Sequence, residues 1–224
     1  MSNLASLFQN EEFYTLALTH KSWVNEHPGK RTSNERLEFL GDAVLEFVVS
    51  KEIYSRFPDK EEGYLTALRA NLVNTISLAS VAKKLELGEN LFLSKGEEET
   101  GGRKNPSLLA NTFEAFVGAL FLDGGLSKVE VFIGEHLLTS IDEKIKEPLK
   151  DPKSLFQEYV QAQGYSAPRY EVIAEKGPDH NKVFTLQVLV NGSAWGVVEG
   201  RNKGEAAQEA ARQALKQIEK KNGK

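Results

Sequence analysis

The chain has 224 residues, 40% of them hydrophobic, which is enough for one or two domains of ordinary size with a real core. It contains no cysteine, which excludes a disulfide scaffold and any Cys-ligated zinc or iron-sulfur centre and fits a reducing compartment. Its 28 Lys+Arg against 32 Asp+Glu give a formal charge of -4, at first sight an argument against nucleic-acid binding, which calls for clustered basic residues.

The amino-terminal run Met1-Ser2-Asn3-Leu4-Ala5-Ser6-Leu7-Phe8 has neither the basic start nor the long apolar stretch of a secretory leader. No stretch of about 20 uncharged apolar residues occurs, so a soluble, cytoplasmic chain without a membrane partner is expected. To about residue 147 apolar residues recur at three- and four-residue spacing, and Pro or Gly falls mainly at joints such as Pro28-Gly29, Pro58 and Gly124-Gly125. This half is expected to be all-α.

Within it, Thr32-Ser33-Asn34-Glu35 reads as a capping box, with Thr32 as N-cap and Glu35 reaching back, opening a helix that runs to about Phe57. At about 100° per residue, Leu37, Leu40, Val44, Leu45, Phe47 and Val48 cover one broad side, extended by Phe39 and Ala43. Only a narrow sector remains, and it holds Glu35, Glu38, Asp42 and Glu46. These acids either form a solvated stripe or line a cleft between packed elements.

The next informative stretch, residues 107–122, is apolar nearly all round and is expected to be the central helix of its domain. Its only acid is Glu114, with Asn111 one turn earlier on the same face. An unpaired buried carboxylate is costly, so Glu114 should meet a cation, a hydrogen-bond network or a metal. Two arrangements satisfy it: a buried ion pair with Arg36 or Arg69, or a shared hard cation. In the second, Glu38 and Asp42 at i,i+4 converge with Asn111 and Glu114 at i,i+3. Oxygen-only ligands, with no Cys or nearby His, select Mg²⁺ or Mn²⁺ over zinc.

The segment Glu147-Pro148-Leu149-Lys150-Asp151-Pro152 suits a short exposed connection, and beyond it the period changes. Residues 152–163 read as a helix and 169–175 as a strand, while Phe184, Leu186, Val188 and Val190 alternate on one face of a strand over 183–190. Asn191-Gly192 supplies a type I′ turn to a third strand at 194–199, and 204–219 is an Ala/Gln/Lys-rich helix. The expected organisation is an all-α domain over residues 1–147, a linker at 148–151, and a small α+β domain of order α-β-β-β-α over 152–221.

Charge divides along the same line, with 17 Lys+Arg and 23 Asp+Glu in residues 1–150 against 11 and 9 in 151–224. The small domain offers three separated polar features: Gln157 and Glu158 on its first helix, Gly177-Pro178-Asp179-His180 in a loop, and Arg201-Asn202-Lys203-Gly204 before its last helix. A reader of duplex RNA needs two minor-groove contacts with a phosphate clamp between them, and a helix N-terminus beside Arg201 and Lys203 suits the clamp. The plain alternative is that each feature is an ordinary solvated loop or side chain.

At Asn34-Glu35-Arg36-Leu37-Glu38-Phe39-Leu40-Gly41-Asp42 the sequence resembles the ribonuclease III family. Further segments resemble it in order: Leu18-Thr19-His20-Lys21-Ser22, Glu62-Gly63 with Leu65-Thr66 and Arg69-Ala70, and Leu109-Ala110 through Glu114-Ala115 to Leu122-Asp123-Gly124-Gly125. The carboxy-terminal half is similar to the double-stranded-RNA-binding domain of bacterial members. The resemblance implies a divalent-metal site at Glu38, Asp42, Asn111 and Glu114, with Glu38, Asp42 and Glu114 catalytic and Mg²⁺, or Mn²⁺ in its place, as cofactor. It places Glu35 and Glu62 near the scissile strand, although for Glu35 the capping role competes. It also implies a homodimer in which Phe39 packs into the partner.

The implied activity is hydrolysis of double-stranded RNA to 5′-phosphate and 3′-hydroxyl ends, in ribosomal-RNA precursor processing and structured-RNA turnover. Two positions depart from the pattern: Asn111 stands where Asp is usual, and Gly204 where a second Lys is frequent. An Asn oxygen can still reach a cation but adds no charge, so weaker metal binding is expected. The rival from another class is a duplex-RNA-binding protein whose activity is lost through Asn111. A phosphohydrolase for small substrates would leave the second domain without a purpose.

Overall fold

A computed structural model describes residues 4–145, 149, 151–178 and 182–222. The chain divides into two compact units, Met1–Leu149 and Lys150–Lys224. The first is helical, with α1 (Glu11–Ala17), α2 (Lys21–Glu26), α3 (Glu35–Arg56), α4 (Glu62–Leu72), α5 (Thr75–Lys84), α6 (Lys95–Glu99), α7 (Pro106–His136) and α8 (Ile141–Lys144).

Helix α7 is the centre of this unit. Phe113, Ala115, Phe116, Val117, Ala119 and Leu120 are fully buried in it, and α3, α5 and α1 pack around it. Asn105 caps it by accepting from the Ser107 and Leu108 backbone N–H groups, and Pro106 occupies the first turn, where a missing N–H costs nothing. Gly125, at φ 75° and ψ -176°, breaks the helix where a residue with a Cβ would be strained. Just before the break, Asp123 turns its almost wholly buried carboxylate toward the amino-terminal segment. It accepts from the backbone N–H groups of Gln9 and Asn10 and from the Lys128 ammonium, and these donors hold its carboxyl down to about 2.

Helix α3 departs from the sequence expectation at both its start and its surface. The capping box does not form: the cap residue is Asn34, whose buried side chain donates to the Ala17 carbonyl, while Glu35 accepts from Ser33 and Lys21. The tertiary bond of Asn34 displaces the local cap. On the surface, Leu37, Val44, Leu45, Val48 and Val49 are buried, but Phe39 is 81% exposed, Phe47 54% and Tyr54 74%. The apolar side of α3 is therefore two surfaces, one in the core and one facing outward.

The second unit contains α9 (Pro152–Ala162), β1 (Arg169–Lys176), β2 (Val183–Val190), β3 (Ser193–Gly200) and α10 (Lys203–Asn222). The strands form an antiparallel sheet in the order β1-β2-β3. Val190 pairs with Ser193 across Asn191 and Gly192, whose positive φ values (49° and 80°) are those of a type I′ turn. Leu186, Val188 and Val190 point into a core closed by Phe156 and Val160 of α9 and by Ala206, Ala210 and Ala214 of α10. Small Ala side chains let α10 lie close to the sheet. The observed α-β-β-β-α order and the helical first unit agree with the expected fold class.

Candidate active site and RNA-binding surface

The crossing of α3 and α7 sets the site. At Gly41 and Gly118 the two helices touch backbone to backbone, so side chains one turn to either side are brought together. A cleft of about 420 Å³ opens beside this crossing, lined by Glu35, Glu38 and Asp42 of α3 and by Asn111, Thr112 and Glu114 of α7. The solvated-stripe reading therefore gives way to the cleft for Glu38 and Asp42.

Electrostatics couple these groups. The carboxyl of Glu114 is pushed up to about 7, first by burial and then by the negative charges of Asp42 and Glu38. Burial and neighbouring Glu35 also raise Glu38, against a hydrogen bond from Asn111 that favours its charged form. Among the described residues no cation relieves Glu114. Arg36 is exposed and Arg69 donates to Ser50 Oγ, so the ion-pair alternative fails for both arginines.

The donor set suits a hard divalent cation: three carboxylates and an amide oxygen, with accumulated negative charge and no thiolate. As the side chains stand, no group of three His, Cys, Asp or Glu among the described residues is drawn tightly enough to hold an ion.

His20 and Lys21 also line the cleft; the sequence placed them in a segment that resembles the family but gave neither a role in the site. The expectation of no nearby His is corrected: the loop before α2 brings His20 in from a distant part of the chain. Its Nδ1 accepts from the Ser22 backbone N–H at 3.3 Å, which places the proton of the neutral ring on Nε2. Such a ring has no lone pair to give a cation, so the oxygen-only donor set stands. Lys21 reaches Glu35, with Nζ 3.3 Å from Oε1.

Glu62 is placed elsewhere. It starts α4, accepts from Thr66 Oγ1 at 2.8 Å, and lines a different groove with Phe47, Tyr54 and Leu65. Phe39 lies at the rim of the acidic cleft.

In the second unit Gln157 and Glu158 are exposed on α9, and Arg201, Asn202 and Lys203 are exposed at the start of α10. Asn202 Oδ1 accepts from the Glu205 N–H at 2.8 Å, so its side chain is engaged as a helix cap. Lys203 Nζ sits 5.2 Å from the centre of the Phe184 ring and 3.5 Å from Glu175 Oε1. His180 lies outside the described residues.

Comparison with known proteins agrees with this architecture. The family model "Ribonuclease-III-like" matches residues 10–141, and "Double-stranded RNA binding motif" matches residues 152–218. Fold and site thus define an endoribonuclease domain followed by a double-stranded-RNA-binding domain. Ribonuclease 3 of Bacillus licheniformis is 49% identical over 214 residues, covering 95% of this chain and 86% of that protein. Ribonuclease 3 of Geobacillus thermodenitrificans is 49% identical over 212 residues, covering 94% and 86%. Among solved structures, the nuclease domain of ribonuclease III from Campylobacter jejuni is 39% identical with a TM-score of 0.57, covering 62% of this chain and 96% of that one. That structure is described for flexibility in a region involved in dimer formation. The chain belongs to the ribonuclease III family and is an endoribonuclease.

Proposed function

We propose that the chain is a divalent-metal-dependent endoribonuclease that cuts double-stranded RNA to 5′-phosphate and 3′-hydroxyl ends, in ribosomal-RNA precursor processing and turnover of structured RNA in the cytoplasm. The observation that carries this reading is the cleft beside the Gly41–Gly118 crossing, where Glu38, Asp42 and Glu114 accumulate negative charge with no cation among the described residues paired to Glu114. Glu38, Asp42, Asn111 and Glu114 would hold Mg²⁺, or Mn²⁺ in its place. When bound, the ion supplies Lewis-acid stabilisation of charge on the phosphate and eases ionisation of the attacking water.

The chain's own residues do the rest. Glu114, near neutrality in its proton affinity, releases its proton as the site fills. Asn111 orients Glu38 by its hydrogen bond but brings no charge. Glu35, tied to Lys21 at the mouth of the cleft, acts near the scissile strand; Glu62, in a separate groove of the same chain, would act there only on RNA that extends beyond this cleft.

Residues 1–147 serve as the catalytic and dimerising domain, 148–151 as linker and 152–221 as the RNA-binding domain. There Gln157, Glu158 and His180 meet the minor groove, while Arg201, Lys203 and the capped start of α10 at Asn202 hold phosphate. The outward face of α3 supports the homodimer: Phe39, Phe47 and Tyr54 stand largely exposed on it, aromatic surface that a partner would cover. Among the described residues no helix is long and apolar enough to cross a membrane, which fits an RNA partner in solution.

A long perfect RNA duplex incubated with the protein over a range of Mg²⁺ or Mn²⁺ tests the reading. Metal-dependent cuts with the stated end groups support it. Binding without cleavage at any metal concentration would move the chain to the alternative that Asn111 suggests, a duplex-RNA-binding protein without activity.

A further inference from the structure

His20 is held more elaborately than a helix cap requires. It precedes α2, and its Nδ1 accepts from the Ser22 backbone N–H. Ser22 Oγ also lies 2.8 Å from Nδ1 and itself accepts from the Ser94 backbone N–H at 3.0 Å. Because Nδ1 accepts from the Ser22 N–H it carries no proton, so in the 2.8 Å contact the Ser22 O–H donates to Nδ1 while its oxygen accepts from Ser94. The two donors share the single Nδ1 lone pair and fix the tautomer and the ring plane together. The remaining nitrogen, Nε2, carries the proton, and the ring lines the same cleft as Glu38, Asp42, Asn111 and Glu114. Every acid in that cleft is an acceptor that repels phosphate, whereas an N–H is what a phosphate oxygen needs.

We infer that His20 presents its Nε2–H to a non-bridging oxygen of the RNA phosphate in the acidic cleft, with Ser22 and Ser94 as the residues that lock the ring for this contact. The inference rests on the proposed cleavage reaction at this cleft and adds a neutral donor to it. Burial pulls the imidazole below its ordinary pKa, consistent with a ring that works uncharged. The contact involves no proton transfer: it orients the phosphate and stabilises charge as it builds on the oxygen.

The two roles of the ring can be separated chemically. In His20→Asn, Oδ1 can still accept from the Ser22 N–H, so α2 keeps its cap, but nothing reaches the place of Nε2. In His20→Gln, the longer amide returns an N–H near that place. The test uses the full-length protein, a labelled RNA duplex, saturating Mg²⁺ and thermal unfolding of each variant. The expected result is that His20→Asn unfolds within a few degrees of the parent while kcat falls by about tenfold or more, the scale of losing one oriented donor. Recovery of a substantial part of kcat is expected in His20→Gln, and duplex binding measured without divalent metal should change less than twofold in both.

Cleavage by His20→Asn within twofold of the parent overturns the inference while leaving the reaction standing. So does an equal loss in both variants, which would assign the ring a role of shape alone. A parent protein that fails to cleave duplex with any metal overturns the proposed function and this inference with it.

Discussion

Gly41 of α3 and Gly118 of α7 stand against each other's helix: a Cβ on Gly41 would lie 1.8 Å from the Glu114 carbonyl oxygen, and one on Gly118 would lie 2.3 Å from that of Leu37. Both obstacles are backbone, which cannot rotate away. Gly41→Ala is therefore expected to force the helices apart, cost about 3 kcal/mol or more, and spread Glu38 and Asp42 from Glu114. Urea unfolding measures the first effect. A raised Mg²⁺ requirement for cleavage measures the second, and an unchanged unfolding midpoint would contradict the close contact.

Glu114→Gln should abolish cleavage while duplex binding survives, because the charge is lost from the cleft and the second unit is untouched. The same substitution exposes a stability signature. The folded carboxyl sits at about 7, above its ordinary value, so the folded state binds the proton more tightly than the unfolded chain. Its contribution is fully favourable below the unfolded pKa and is lost as pH rises toward 7. Metal-free protein should lose unfolding free energy across that window, and the loss should shrink in Glu114→Gln.

Asn111→Asp adds a formal charge to a site already crowded with acids. Without metal it should raise Glu114 further and lower the unfolding temperature. With limiting Mg²⁺ it should increase cleavage, because the cation gains a fourth carboxylate. Decreased activity at low Mg²⁺ would show that Asn111 does not act as a weakened ligand.

Glu175 occupies Lys203, the lysine proposed for the phosphate clamp. Its Oε1 lies 3.5 Å from Lys203 Nζ and its Oε2 lies 4.0 Å from Lys182 Nζ. Lys203→Ala should weaken duplex binding and reduce the salt slope by about one phosphate contact. Glu175→Gln should tighten binding on the order of two- to fivefold at low salt, since the exposed pair it breaks is weak. Anisotropy titrations at several salt concentrations distinguish these outcomes.

Phe39→Asp should dissociate the proposed dimer, read by sedimentation, while circular dichroism of the chain stays unchanged. The ring is 81% exposed, so the fold of the single chain does not need it. A dimer that survives the charge would remove Phe39 from the interface.

Local chemistry made much of this legible in the sequence. Period-2 alternation from Phe184 to Val190 and the Asn191-Gly192 pair specify the hairpin without help from distant residues. The near-continuous apolar run around Glu114 likewise announced a central helix, and its lone acid announced a site. Periodicity did not mark Phe39 and Phe47 as exposed, because it shows apolar faces without saying whether core or another surface covers them; for Phe39 only the resemblance, which sets it against a partner, implied an outward ring. The Thr32 capping box failed because Asn34 found a partner seventeen residues away in Ala17. His20 stands in the segment Leu18-Thr19-His20-Lys21-Ser22 that resembles the family, but it received no role for the same reason: nothing between His20 and Glu38 in the sequence tells that one cleft holds both.

Asp123 joins Gln9 and Asn10 across 114 and 113 positions of chain, respectively. During synthesis this corner lacks its Asp123 partner until α7 has emerged, and Phe8, which already has Tyr14 beside it, gains its edge-on contact with Phe116 only with the same segment. The corner at Gln9 and Asn10 is thus sealed from the far end of the helical core rather than from its own neighbourhood.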